Sequence, residues 1–414
     1  MSFLKRADFP ANKGELRADL IAGLTVAIVA LPLAIGFGIT SGMSAAAGIT
    51  TAIIAGFIAA LFGGSRLQVS GPTGAMTVIL IPVINKFGAD AIPALGVLSG
   101  AMVVILGVFR LGKFINQVPH YVIEGFTFGI AVIIALQQLP MALGVPRGAG
   151  DRTLEIAANT LNSDKYNLSA MVIVAITLIF KFNFDRILKI LGIKSYIPAS
   201  FAALIFGSIF AKALSLKVPN IGQIPNNLAK YSAPNFDNFV DLLWPALMIA
   251  LLVAIESLLS ARVADSLAHL PKERRLKPNQ ELVGQGLATS IASVFGGQPA
   301  TGAIARTSVN VRAHANSRFA AMVHSVVLLL IILVAAPLFS QIPAAAIAGV
   351  LIGTSIRILN PANLKELLRT TKFEIFTYAV TAICTIAIDL IWGIAIGLCV
   401  HGLIVLINRG KTLN

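Results

Sequence analysis

The chain has 414 residues, 57% of them hydrophobic and 12% charged, with a net charge of +14 and mean hydropathy +0.85. Soluble domains carry about 25% charged residues, so no aqueous core absorbs this much apolar surface and the bilayer must be the solvent. The basic excess does not mark a nucleic-acid binder, because it follows membrane sidedness.

Residues 1–18 form a charged arm without a small-residue cleavage site, read as retained in the cytoplasm with room for an interfacial helix. The uncharged runs 20–65, 91–109, 125–146, 282–305 and 319–356 then set the spans, since a crossing helix needs about 20 residues. They give fourteen segments, near 20–41, 44–63, 71–85, 91–109, 119–141, 167–180, 196–211, 242–261, 282–296, 302–312, 319–338, 344–356, 373–388 and 391–407. Those at 167–180 and 373–388 are short for full spans. With both termini inside, 24 Lys/Arg face the cytoplasm, Lys181 and Arg262 among them, against 7 outside and Arg306 within the membrane. That bias obeys the positive-inside rule. The transmembrane part runs over 19–409, with a tail at 410–414.

Fourteen segments split into two sevens at the polar stretch 212–241, and an odd-numbered half inverts its copy. Segments three and ten carry matching interruptions. The third is entered through Val69-Ser70-Gly71-Pro72-Thr73-Gly74-Ala75-Met76, the tenth through Gln298-Pro299-Ala300-Thr301-Gly302-Ala303-Ile304. The shared Thr-Gly-Ala copies lie 228 residues apart. Pro and Gly allow a helix to begin there but not to run through, and such backbone survives at membrane depth only under protein or beside a water-filled cavity. Interrupted segments at corresponding places in two halves point to a transporter's central site. Two helix N-termini meeting near the midplane offer free N–H groups and positive dipole ends, which is an anion site made of backbone. The glycines Gly74 and Gly302 are read as letting the anion approach the amides.

Two charges lie inside the membrane. Arg306, about one turn into the second half-helix, adds positive potential at an anion site; the bland alternative is a structural arginine. Glu256 in the eighth segment, with Ser260 on the same face, can bind a cation or take a proton; the bland alternative is a structural glutamate. No Walker sequence, dinucleotide fingerprint, nucleophile elbow or His/Cys metal spacing is present. The chain therefore reads as no enzyme and needs no cofactor, its energy coming from an ion gradient.

These motifs resemble the sulfate permease family, the solute-carrier family 26 group, over essentially the whole chain. The resemblance rests on Leu31-Pro32 through Phe37, on Gly71-Pro72-Thr73-Gly74 with Met76, and on Gly296-Gly297 through Thr301-Gly302-Ala303-Ile304-Ala305-Arg306-Thr307. It implies an all-α membrane protein of fourteen segments in a 7+7 inverted repeat, with a core of segments 1–4 and 8–11 rocking against a gate of segments 5–7 and 12–14. By motif, Phe37, Ser70, Gly71, Thr73, Gly74, Ala75, Thr301, Gly302, Ala303 and Arg306 fall at the anion pocket, and Glu256, Ser260 and Ile304 at the coupling-ion position. Full-length members usually carry a cytoplasmic STAS domain after the last helix, which a chain stopping at Asn414 lacks. Sodium-using bicarbonate carriers of the group tend to have Asp where Glu256 stands and a hydroxyl residue where Ile304 stands. The departure favours a proton over sodium.

The expected function is secondary transport of a small anion, sulfate or bicarbonate first and dicarboxylate next, coupled to H+ and by alternative to Na+. An uncoupled exchanger or channel is the competing reading. The expected partners are the anion and the lipid bilayer, with a homodimer allowed and no nucleic acid. Compact loops point to a bacterial inner membrane.

Overall fold

The computed structural model describes residues 8–115, 118–163, 165–192, 197–222, 230–359, 370–388 and 390–411. The first seven residues of the arm and the last three of the tail lie outside them. The first half contains α1 (Lys13–Thr40), α2 (Ala45–Phe62), α3 (Gly74–Phe87), α4 (Ile92–Val108), α5 (Gly112–Ile115), α6 (His120–Gln137), α7 (Leu139–Leu143), α8 (Thr153–Leu161), α9 (Leu168–Ile190) and α10 (Ala199–Ala213). The second contains α11 (Phe239–Leu267), α12 (Pro278–Val294), α13 (Ile304–Arg312), α14 (Phe319–Phe339), α15 (Ala344–Leu359), α16 (Lys372–Ala387) and α17 (Leu390–Lys411). Each of the fourteen expected segments overlaps one main helix, the fifth (119–141) also taking in the start of α7; the short α5 and α8 lie in the connections. Among the described residues, seven helical spans are long and apolar enough to cross a membrane by themselves.

Local chemistry sets several helix starts. Asn12 accepts from the Glu15 amide at 2.9 Å, Ser44 from the Ala47 amide at 3.1 Å, and Thr371 with Glu374 closes a capping box. The arm is fastened down: Asp8 is buried and pairs with Arg66 at 3.1 Å and Arg318 at 3.5 Å. Arg318 also donates to the Ala60 and Leu61 carbonyls at the end of α2, where basic groups offset the helix dipole.

Two boundaries differ from expectation. Helix α9 is a full span of 23 residues, and Lys181 lies within it, 1% exposed, instead of in the cytoplasmic loop. Its Nζ donates to the Val350 carbonyl at 2.6 Å and to Thr354 Oγ1 at 2.7 Å, both on α15. A lysine stem packs like an aliphatic chain, and two oxygens of the neighbouring helix replace water at its head. Arg262 likewise falls inside α11.

The helices pack in two sets of neighbours. Helix α12 lies on α4 and α2, and α1 on α14 and α2; elsewhere α16 lies on α6 and α17, and α9 on α10 and α15. At the centre, β1 (Ser70–Gly71) and β2 (Thr301–Gly302) pair antiparallel, Ser70 opposite Gly302 and Gly71 opposite Thr301. Each strand leads directly into a half-helix, β1 into α3 and β2 into α13.

Candidate functional site

The half-helices begin at Gly74 and Ile304, 230 residues apart, whereas the Thr-Gly-Ala copies are 228 apart. Thr73 therefore caps α3 and Ala303 caps α13, while Thr301 sits back in β2. The repeat is real, but the Thr-Gly-Ala copies are out of register with the helix starts by two residues. Neither half-helix has a capping side chain bonded to its first-turn amides, unlike α1 or α2, so those amides are left without such partners.

Beside these ends stands Glu256, 9% exposed on α11. Its Oε2 accepts from Thr301 Oγ1 at 2.7 Å and from Thr73 Oγ1 at 3.2 Å. One carboxylate oxygen thus receives a hydroxyl from each half of the chain. Phe37 of α1 is buried and packs on the start of α3: a Cβ added to Gly74 would stand 3.1 Å from the Phe37 ring and overlap Ile134.

Arg306 is 1% exposed and crosses to the other half, where its Nη2 donates to the Pro72 carbonyl at 2.7 Å. Its Nε and Nη1 have no protein partner. Gly71 lies under the guanidinium, and a side chain there would overlap Nη1. The remaining expected residues separate. Ala75 and Ala303 are buried at the two helix starts. Ser70 Oγ accepts from Gln285 Nε2 at 2.6 Å, on the α12 side. The Gly302 amide is already committed to Ser257 Oγ at 3.0 Å, and a Cβ at Gly302 would overlap the Gln68 amide nitrogen. That glycine serves close packing, so the expected approach of an anion to its amide is not available. Ser260 shares a 2.9 Å hydrogen bond with Thr307 and makes none to Glu256, and Ile304 brings no side-chain oxygen.

Sequence reasoning passed over the polar scaffold behind the ladder. Glu281 Oε2 accepts from the Gly64 and Ser65 amides at 2.8 Å, and Glu281 Oε1 accepts from Gln285 Nε2 at 2.8 Å. Thr307 Oγ1 takes the Val69 amide at 3.0 Å, and Val69 returns its carbonyl to the Ala303 amide at 2.9 Å. The signal was a Glu and a Gln four residues apart beside an apolar run. Among the described residues no group of His, Cys, Asp and Glu could hold a metal.

The model of the sulfate permease family matches residues 16–381. The chain belongs to that family. It is 36% identical to a putative sulfate transporter, YvdB, of Bacillus subtilis, across 94% of this chain and 73% of that one. It is 32% identical to the bicarbonate transporter BicA of Picosynechococcus, across 93% and 69%. Its fold superimposes on the transmembrane domain of a cyanobacterial BicA with a TM-score of 0.81 at 29% identity, covering 92% of this chain and 97% of the other. An inward-facing murine Slc26a9 structure shares the fold, with a TM-score of 0.84 at 16% identity, covering 96% and 70%. The fold is the 7+7 inverted repeat, and the protein is a polytopic anion transporter rather than an enzyme.

Proposed function

We propose that this protein carries a small oxyanion, sulfate or bicarbonate first and a dicarboxylate next, in symport with a proton. One observation carries the reading: two half-helix N-termini without side-chain caps meet beside a buried carboxylate that both halves hold. The anion would lie against the first-turn amides of α3 and α13, between Phe37 and Thr73 on one side and Thr301 and Ala303 on the other. Arg306 supplies positive potential from behind the ladder.

Glu256 competes with that anion while it is charged. Taking a proton removes the repulsion, so anion and proton bind cooperatively, each raising the other's affinity. Thr73 and Thr301 stabilise the charged form while the site is empty. Sodium coupling is the second reading. It is less favoured because Ser260 is engaged with Thr307 and Ile304 has no side-chain oxygen, whereas a hard cation wants several oxygen ligands. An uncoupled exchanger would have no use for the carboxylate.

Alternating access belongs to the same proposal. A core of α1–α4 and α11–α14 moves against a gate of α6, α9, α10 and α15–α17, a division that the two sets of packing neighbours support. The protein sits in the plasma membrane with both termini in the cytoplasm. A homodimer rests on the family resemblance alone, and light scattering of the solubilised protein reads it.

The test is uptake of radiolabelled sulfate and bicarbonate into proteoliposomes, with an inward pH gradient imposed in sodium-free buffer. Concentrative uptake of either anion is expected. Uptake that needs sodium and ignores the pH gradient overturns the proton assignment.

A further inference from the structure

At the end of α1 farthest from the N-terminus lies a cavity of about 200 Å3, whose lining includes none of Phe37, Thr73, Glu256, Thr301 and Arg306. It separates the last turn of α1 and the middle of α3 from the helix pair α6–α7 and the start of α8. Most of its wall is apolar, with Ile39, Ile81 and Met141 among the contributors, but four polar side chains line it: Gln137, Arg147, Thr153 and Thr40, whose hydroxyl is spent on the Gly36 carbonyl. Gln137 is 9% exposed and Thr153 7% exposed. Neither amide atom of Gln137 has a hydrogen-bond partner, nor has the Thr153 hydroxyl. Burying a polar group without a partner is costly. Three such atoms on one small cavity point to a ligand or to water.

Arg147 decides the sign of that ligand. Its loop is held from two sides. Asn85 of α3 donates to Asp151 Oδ1 at 2.9 Å, the Gly148 amide donates to Thr160 at 3.1 Å, and Asn159 donates to the Ala149 carbonyl at 2.7 Å. The guanidinium reaches over the turn after α1, where a Cβ on Gly42 would meet Nη1 at 3.7 Å. No carboxylate lies within ion-pairing distance of it among the described residues. The guanidinium is exposed on this held loop, with Asp151 acting on it from nearby, and presents a planar fork suited to a carboxylate. The cavity is smaller than the roughly 300–1,000 Å3 of drug-sized sites. Its largely apolar wall suits a short hydrocarbon body better than a bare inorganic oxyanion.

We propose that this cavity is a binding site for a small organic monocarboxylate, distinct from the transport site at the crossing. Arg147 takes the carboxylate, Gln137 and Thr153 bond its oxygens or an adjoining hydroxyl, and the apolar wall covers the alkyl part. A ligand here touches both α3 and the α6–α8 unit. Its occupancy therefore holds these elements at one spacing and slows turnover.

The probe is butyrate, titrated calorimetrically into the protein in lipid nanodiscs. Saturable binding is expected, weakened about tenfold or more by Arg147→Ala and by Gln137→Leu, and changed less than about twofold by Arg306→Ala. Thr153→Val and Arg147→Lys, which disturb the loop least, should each give a smaller loss and serve if Arg147→Ala does not fold. Loss in Arg306→Ala with the cavity variants unaffected would place butyrate at the crossing and overturn the proposal. No saturable heat in the wild type overturns it as well, and leaves the transport reading untouched, since that is read by uptake of sulfate or bicarbonate.

Discussion

The Arg306 guanidinium donates to the Pro72 carbonyl at 2.7 Å, so a side chain of the second half completes the backbone of the first. Arg306 thus has a structural duty beside its electrostatic one. Arg306→Ala should weaken apparent anion affinity about tenfold and lower the thermal midpoint as well, because the Pro72 carbonyl is left buried and unpaired. Arg306→Lys keeps the charge and should recover part of the affinity. Uptake as a function of substrate concentration, alongside a melting curve, separates the two effects; unchanged affinity in a folded Ala variant removes Arg306 from the site.

Glu256→Gln fixes the neutral form of the carboxyl group. We expect anion binding and exchange to persist while accumulation against a gradient is lost. Proteoliposome uptake with and without an imposed pH gradient reads this directly. A variant that still concentrates substrate makes Glu256 a structural residue.

The two threonines should differ in weight. Thr301 donates to Glu256 at 2.7 Å and Thr73 at 3.2 Å, and hydrogen bonds to a charged group contribute about 1.5–3 kcal/mol. Each bond favours the carboxylate, so losing it lets the proton bind at higher pH. Thr301→Val should therefore move the pH of half-maximal uptake upward by about one unit, and Thr73→Val by less. A downward shift in either variant contradicts the arrangement.

The paired glycines should respond unequally. A methyl at Gly302 runs into the Gln68 amide and stands 3.1 Å from the Ser257 Cα. At Gly74 the methyl meets only side chains, those of Ile134 and Phe37, and no backbone atom. Overpacking of this kind costs about 1–3 kcal/mol. Gly302→Ala should lower the melting temperature more than Gly74→Ala, while Gly74→Ala impairs transport at normal expression.

Lys181 gives a counterintuitive prediction. It is buried against a carbonyl and a hydroxyl, with no carboxylate in ion-pairing range among the described residues. Replacing a buried, uncompensated charge by an apolar chain of similar length is often neutral or stabilising. Lys181→Met should melt no lower than the wild type. A fall of several degrees would mean that the ammonium is required.

The fourteen segments were legible because uncharged runs and Gly/Pro breaks are long-range signals that a bilayer enforces. Fine register was not. Thr-Gly-Ala recurs at 228 residues while the helices repeat at 230, since short motifs of small residues recur in a chain with 35 glycines. Lys181 was misplaced because the same letter serves a cytoplasmic loop and a buried stem, and only the neighbouring helix supplies the oxygens that tell them apart. That Thr73 and Thr301 both serve Glu256 was equally hidden, as 183 and 45 residues separate them from it in the chain. Gln137 and Thr153 carry no sequence signal at all; their meaning comes from the cavity they share.

The short ladder between Ser70–Gly71 and Thr301–Gly302 has a consequence for biogenesis. Residues 63–73 are made first, and their strand partner is translated some 230 residues later, on the order of ten seconds or more at ordinary elongation rates. Unpaired peptide groups cost several kcal/mol each in hydrocarbon. The nascent first half therefore has no stable resting place in lipid for this stretch. It must wait at the interface or inside the insertion machinery until Thr301 arrives, so a chain arrested before residue 300 should remain protease-accessible at Ser70 although its flanking helices are already embedded.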